Sequence, residues 1–435
     1  MSSAPAAAAR YASPLAQELA ADVLERFLRY VRIDTQAVEG SSTYPSSAKQ
    51  LDLSRLLLSE LRDLGLEDAE LTEHGYVFAT LPGVVERPLV GLIAHVDTTP
   101  EVAGGEVTPI VHRAYAGGPI VLPGDEREVL EPGELPELAA RVGHDIVTSD
   151  GTTLLGADDK AGVAEIMAAV AYLLRHPELA RAPVRVAFTV DEEVGHGTDH
   201  FDLERFGADF AYTLDGSGIG ELELETFSAY QVRVTFQGIA VHPGSAKGRL
   251  VNALKLASKL IGSLPPDRLS PETTEGREGY VHPSRLRGTA AEAVVTFIVR
   301  DHDDTKLEEH VALIRQLADR VAADEPRARV SVEVQETYRN MRQVLDRHPD
   351  VVAAAEEAIR RAGVEPKRTI IRGGTDGARL SERGLPTPNL FTGGQDYHSL
   401  REWASVQDMA AAAASVVELA RVWAERSPAG TLAPD

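Results

Sequence analysis

Two glutamates stand side by side in FTVDEEVGHG, Glu192 and Glu193, where an apolar run ends. Neighbouring carboxylates repel, and an unpaired buried charge is costly, so positive charge is expected beside them. Four further places put metal-type ligands at what read as element ends. His95-Val96-Asp97 closes the string GLIAHVD. Residues i and i+2 of a strand share a face, so Asp97 can support His95, fixing its tautomer and raising its basicity. In LLGADDKAG, Asp158 and Asp159 precede a helix. Aspartate is a favoured N-cap, but two in a row followed by Lys160 exceed what capping requires. Asp215 in AYTLDGSGIGE again follows an apolar segment, and His398 lies in the Gly-rich loop FTGGQDYHS.

Singly, each of these has an ordinary reading: a hydrogen-bonded strand terminus for H-x-D, a helix cap for the aspartates. Together they supply two histidines and at least four carboxylates, most of them at strand ends on one edge of an α/β sheet, where such folds place their sites. Oxygen and imidazole donors of this kind suit a two-metal hydrolytic centre with ions roughly 3.5–4 Å apart. One carboxylate bridges both ions, and each ion takes a His and one further carboxylate. Another carboxylate must stay off the metals to accept a proton from the bridging water. The missing positive charge is then about four units, from two divalent cations. Spacing alone does not say which of Glu192 and Glu193 binds and which accepts the proton. Continuing the alternation of the strand VRVAFTV would point them to different sides.

Composition narrows the alternatives. The chain has no cysteine, which excludes disulfides, thiolate zinc sites and a cysteine nucleophile. A formal charge of −23 argues against a nucleic-acid partner and against docking on anionic lipid. No run approaches a membrane span, and the leader MSSAPAAAARYASPLAQELA lacks the basic start and apolar core of a signal peptide, so a cytoplasmic protein is expected. GSGIGE faintly resembles a dinucleotide loop, but a strand pattern follows it rather than a helix. No G-x-S-x-G elbow, HExxH helix or Walker loop is present.

The elements that must position these residues read as α/β. At 435 residues the chain exceeds one ordinary core, so two domains are expected. Residues 14–32 and 47–64 have helical apolar spacing, and RPLVGLIAHVD and APVRVAFTVD read as strands covered on both faces. Between them DKAGVAEIMAAVAYLLRHP reads as a helix, giving a mainly parallel, helix-flanked sheet. After about residue 221 the pattern becomes β-α-β-β-α-β. Its first strand lies in ELELETFSAYQVRVTFQG and its last in RVSVEVQETY, which predicts an inserted ferredoxin-like α+β domain. The expected division is a catalytic domain over 1–222 and 339–435, interrupted by a lid domain over 223–338. The Pro/Gly/Glu-rich piece 117–137 reads as a surface loop.

The strings GLIAHVDTTPEV, TSDGTTLLGADDKAGVAEIM, DEEVGHG, LDGSGIGELELETFSA, VHPGSAKGRLVNA, IRGGTDGARLS and LPTPNLFTGG-x-x-YH resemble those of the peptidase T family. That family of di-zinc tripeptide aminopeptidases lies in a wider group with carboxypeptidase G, aminoacylase and succinyl-diaminopimelate desuccinylase. The resemblance runs from about residue 20 to the end. It implies two zinc ions, with cobalt or manganese as substitutes, a short peptide substrate, and a homodimer. His95 then matches a ligand of one zinc with Asp97 orienting it, and Asp158 matches the bridging carboxylate, often followed by a cis peptide bond. Glu192 matches the general base and acid, Glu193 and His398 ligands of the second zinc, and Asp215 a ligand of the first. His242 in VHPGSAKG matches a histidine that reaches across a dimer to the oxyanion. Arg300 in FIVRD matches an anchor for a substrate carboxylate, with Arg372 assisting. Residues Gln395, Asp396 and the run SLREW depart from the family pattern around His398.

Three other readings stay open in the sequence. A related di-zinc dipeptidase, carboxypeptidase or N-acyl amino acid amidohydrolase would use the same ligands. A non-catalytic binding protein on the same scaffold would lack bound zinc, and no feature favours a purely structural acidic oligomer.

Overall fold

The two apolar runs expected to be buried on both faces lie side by side in an eight-stranded sheet. The computed structural model describes residues 10–427. Strand order in this sheet is Glu70–Leu71, Val77–Leu81, Val184–Thr189, Val90–His95, Phe210–Gly216, Asn389–Phe391, Glu221–Glu225 and Lys367–Ile370. The four strands from Val184–Thr189 to Asn389–Phe391 are parallel. Val77–Leu81 and Glu221–Glu225 flank them antiparallel, so the sheet is mixed with a parallel centre. Every residue of Val90–His95 and Val184–Thr189 is buried, as near-continuous apolar strands must be when helices cover both faces.

The helices Pro14–Tyr30, Ala157–Arg175 and Val406–Arg426 pack on one another, and Ala157–Arg175 also lies against the Val90–His95 and Phe210–Gly216 strands. Ser13 caps the first through Oγ, which accepts from the Ala16 N–H at 3.1 Å, with Pro14 at the first helical position. Gly162 allows the helix Ala157–Arg175 to approach the sheet: a Cβ there would collide with the carbonyl oxygen of Leu214.

The chain divides into two compact units. The first runs to Leu224 and resumes over Gln343–Thr369 and from Thr375; the second is Glu225–Arg342 with the strap Ile370–Gly374. The second has the order expected of a ferredoxin-like fold. Strands Ser228–Gln237, Tyr280–Gly288, Glu292–Asp301 and Arg329–Tyr338 alternate with helices Ala253–Ile261 and Asp304–Ala323. Tyr280–Gly288 lies at one edge, followed by Glu292–Asp301, Ser228–Gln237 and Arg329–Tyr338, all antiparallel. Its core joins Val232, Val234 and Phe236 to Val295, Phe297, Val299, Leu307 and Ile314.

Two local expectations change. ELELETFSAYQVRVTFQG reads as one strand, yet it is two: Glu221–Glu225 belongs to the large sheet and Ser228–Gln237 to the small one, with Thr226 and Phe227 buried between them. Residues 117–137 are not a bare loop. Ile120–Val121 pairs with Val129–Leu130, and Ile120, Leu122, Leu130 and Leu138 build a small core with Tyr115, Ile146 and Trp403. Strands of two residues are too short to show a period in sequence.

Candidate metal centre

Every one of the ligand-type residues named from the sequence, His95, Asp97, Asp158, Glu193, Asp215 and His398, lies in the first unit and at an element end or loop of it. His95 is the last residue of its strand. Its Nδ1 lies 3.1 Å from the Asp97 carbonyl oxygen and 3.4 Å from Asp97 Oδ1. The Asp97 carboxylate has a second task that its spacing did not disclose. It accepts from the backbone N–H groups of Glu192 and Glu193, each at 3.1 Å. H-x-D thus holds the double-glutamate segment as well as the imidazole.

That segment is a turn, not the continuation of a strand. The strand ends at Thr189, Asp191 takes a left-handed conformation (φ 60°), and the Gly195 N–H closes on the Glu192 carbonyl at 2.7 Å. The expected strand alternation of the two glutamates therefore does not apply; the turn separates them. Asp191 is pinned by Gln50, whose Nε2 donates to it at 2.6 Å and whose Oε1 accepts its N–H at 3.0 Å, and by the Ser46 N–H at 2.6 Å. Such anchoring is what a non-glycine residue at positive φ requires.

Asp158 stands between two imidazoles. Its Oδ1 lies 3.0 Å from His95 Nε2 and its Oδ2 lies 3.4 Å from His398 Nε2. Asp215 Oδ1 is 3.6 Å from His95 Nε2 on one side, and Glu193 Oε2 is 2.9 Å from His398 Nε2 on the other. The Asp158–Asp159 peptide bond is cis. Asp159 also reaches ligand distance of His95 and Asp215, but both its oxygens serve the backbone: Oδ2 accepts from the His95 N–H at 3.0 Å and Oδ1 from the Gly162 N–H at 3.2 Å.

The electrostatics are those of a site made for positive charge. Burial pushes Glu193 up to about 8, and the Asp158 charge adds to it. Burial likewise raises Glu192 well above the usual carboxylate range and Asp215 to about 6. Burial opposes protonation of His398, yet Asp158 and Glu193 push it up to about 11. Glu193 Oε1 is buried without a hydrogen-bond partner. An orphaned carboxylate oxygen, a two-faced aspartate and only imidazole and oxygen donors fit divalent cations, whose charge offsets the crowding. Among the described residues, the Glu192 carboxylate takes no side-chain hydrogen bond or ion pair, so it is free to handle a proton.

The three remaining predicted residues lie in the second unit. His242 is exposed, and its Nδ1 accepts from the Gly244 N–H at 3.1 Å, which leaves Nε2 as the ring's N–H donor. Arg300 donates through Nη1 to Tyr280 Oη at 3.0 Å and to the Arg372 carbonyl at 3.4 Å, while its Nε is buried without a partner. Arg372 is engaged differently. Its Nη1 donates to the carbonyls of Gly276 and Glu278, and its Nη2 to the carbonyl and hydroxyl of Thr274. Its fork ties down the 274–278 loop.

Sequence reasoning missed several supports. Asp376 in the GGTDG loop is buried, accepts from Thr189 Oγ1 at 2.7 Å, and is pushed up to about 7 by burial. Asn389 Oδ1 accepts from the Asp215 N–H at 2.9 Å. Half-buried Tyr397 donates to the Gly216 carbonyl at 3.0 Å. Only Asp376 had a visible signal, an acidic residue in a Gly-rich loop.

A sheet with a parallel centre, carrying such a cluster at its strand ends, defines a metallohydrolase. The profile of Peptidase family M20/M25/M40 matches residues 148–422, and the chain belongs to that family of hydrolytic, metal-binding peptidases. Within it the chain belongs to the peptidase T family, as the sequence resemblance implied. It is 44% identical to Peptidase T of Geobacillus thermodenitrificans over 408 residues, covering 93% of this chain and 99% of the relative. Against Peptidase T of Clostridium botulinum (strain 657 / Type Ba4) identity is 46% over 407 residues, covering 93% and 100%. The fold is shared with the aminopeptidase PepT of Bacillus cereus ATCC 10987, at TM-score 0.70 and 23% identity over 93% of this chain and 99% of that one. A tripeptidase from Staphylococcus aureus gives TM-score 0.73 at 22% identity, covering 94% and 99%. Among the described residues, no helix is long and apolar enough to cross a membrane.

Proposed function

We propose that the protein is a cytoplasmic, homodimeric two-zinc aminopeptidase that releases the N-terminal residue of tripeptides. The observation that carries this reading is Asp158, whose two oxygens face two different imidazoles, each accompanied by its own carboxylate. His95, Asp158 and Asp215 would hold one ion, and His398, Asp158 and Glu193 the other. Divalent ions bound there would supply Lewis acidity, lowering the pKa of water at the site and polarising the scissile carbonyl. Glu192 takes a proton from the attacking water and returns it to the leaving amine. Asp97 keeps Glu192 and Glu193 at their posts through their backbone N–H groups. His242 Nε2–H is the donor for the developing oxyanion, acting across the dimer. Arg300 receives the substrate's C-terminal carboxylate at its unpartnered Nε side, and that grip sets the length of peptide accepted. Arg372 assists by holding the loop beside Arg300, not by gripping the substrate. The names of the Peptidase T relatives and of the tripeptidase neighbour support this reading.

The test is elemental analysis of the purified protein together with a panel of a free tripeptide, a dipeptide and an N-acylated tripeptide. Two zinc per chain and preferred cleavage of the free tripeptide are expected. Preference for the dipeptide or the acylated peptide overturns the substrate assignment, and absence of bound metal overturns the mechanism.

A further inference from the structure

The run SLREW, which follows His398, contains a carboxylate built into the loops of the centre. Glu402 is buried and lies four positions after His398, at the start of the short strand Trp403–Ser405. It accepts three backbone N–H groups from the loop that delivers Asp158. Oε2 takes those of Leu155 at 2.8 Å and Gly156 at 2.7 Å, and Oε1 takes that of Asp158 itself at 3.0 Å. A carboxylate receiving several N–H bonds is a strong, directional clamp. The far side of the same run is also held. Trp403 sits in the small core with Ile120 and Leu130, and its Nε1 donates to Asp396 Oδ2 at 3.2 Å. Asp396 and His398 both have left-handed backbones, at φ 55° and 58°.

We propose that Glu402 is a positioning residue for the metal centre, locking the loop of His398 to the loop of Asp158 so that one carboxylate serves two ions. The inference rests on the two-zinc reading above. It mirrors the clamp of Asp97 on the backbone of Glu192 and Glu193, so two buried carboxylates fix the two loops that bring ligands from outside the strands. Glutamine at 402 keeps the shape but turns an amide N–H₂ toward one or two of the three donors, leaving either the Asp158 N–H or the Leu155–Gly156 pair without its acceptor.

Glu402→Gln is compared with wild type and with Arg401→Ala, a change at the neighbouring exposed residue. Zinc content after dialysis, kcat, KM and far-ultraviolet circular dichroism are read. The expected result is an unchanged fold, a fall of about 10–100-fold in affinity for one of the two ions, kcat lowered by a similar factor, and KM unchanged. Arg401→Ala behaves as wild type. Unchanged zinc content and kcat in Glu402→Gln, with only a lowered Tm, overturn the proposal. Should Glu402→Gln not fold, amide exchange of the native protein decides. The N–H groups of Leu155, Gly156 and Asp158 are expected to be protected, and fast exchange at them overturns the clamp. A wild type that binds no metal defeats the two-zinc reading instead, a separate outcome.

Discussion

The two oxygens of Asp158 look toward two differently built halves of one centre. On one side His95 and Asp215 belong to adjacent parallel strands; the His95 ring is 2% exposed and its backbone is held by Asp159. On the other side His398 lies on a loop with its side chain 38% exposed, and Glu193 lies on a turn reached through the left-handed Asp191. The strand-borne half is preformed by the core of the sheet. The loop-borne half owes its geometry to clamps, and its histidine is the more exposed of the two. Rigidity comes from the sheet, while access comes from the loops.

The comparison can be broken most directly at Glu192, the proposed proton carrier for both halves. Glu192→Gln is expected to retain both ions by elemental analysis while kcat falls by about 10²–10⁴-fold. Full activity in that variant would place the base elsewhere. Next, the halves should differ in metal retention. His398→Ala is expected to keep one ion per chain and His95→Ala to lose both, because the buried ligand supports the bridging carboxylate; equal losses would erase the distinction. A smaller effect is expected at the turn. Asp191→Ala removes the carboxylate's bonds to Gln50 and Ser46 at a positive φ, costing about 1–3 kcal/mol, read as a lowered Tm with reduced kcat.

The smallest effect tests the scaffold alone. Glu165, two turns into the helix that begins beside Asp158, is buried with both oxygens unpartnered, and burial raises its carboxyl well above the usual range. The folded protein keeps this proton, while the unfolded chain releases it near the ordinary glutamate value of about 4.3. Stability from this group therefore falls as pH rises above that value. Glu165→Met is expected to raise Tm by a few degrees, with the gain largest at neutral and alkaline pH and shrinking as pH falls toward about 4. A gain equally large at pH 4 would contradict this cause.

Much of this was legible in the sequence because the ligands close apolar runs: GLIAHVD, FTVDEE and TLDG announce strand ends whatever the partners are. The ferredoxin-like order was legible for the same reason, since Val232, Val234 and Phe236 alternate as a one-sided strand must. The supports were hidden because they act through backbone groups far away. Glu402 serves residues 244 to 247 positions earlier, and nothing local distinguishes it from a surface glutamate. The separation of Glu192 from Glu193 was read from strand phase, but one left-handed residue, Asp191, replaced that phase with a turn. Arg372 was expected to assist Arg300 from the family resemblance alone; the partners that fill its fork, on the 274–278 loop, are ones that only the fold brings to it.

The position of Asn389–Phe391 in the sheet has a consequence for synthesis on the ribosome. This strand lies between Phe210–Gly216 and Glu221–Glu225, so the early part of the first unit emerges with a gap in its sheet. The second unit, nearly all of it in the continuous stretch Glu225–Arg342, can close its core while that gap is still open. His398 is the last ligand to leave the ribosome. On the proposed two-ion reading, metal capture would be a closing event of biogenesis, and a nascent chain halted before Asn389 would carry a finished small domain and an unfinished catalytic sheet.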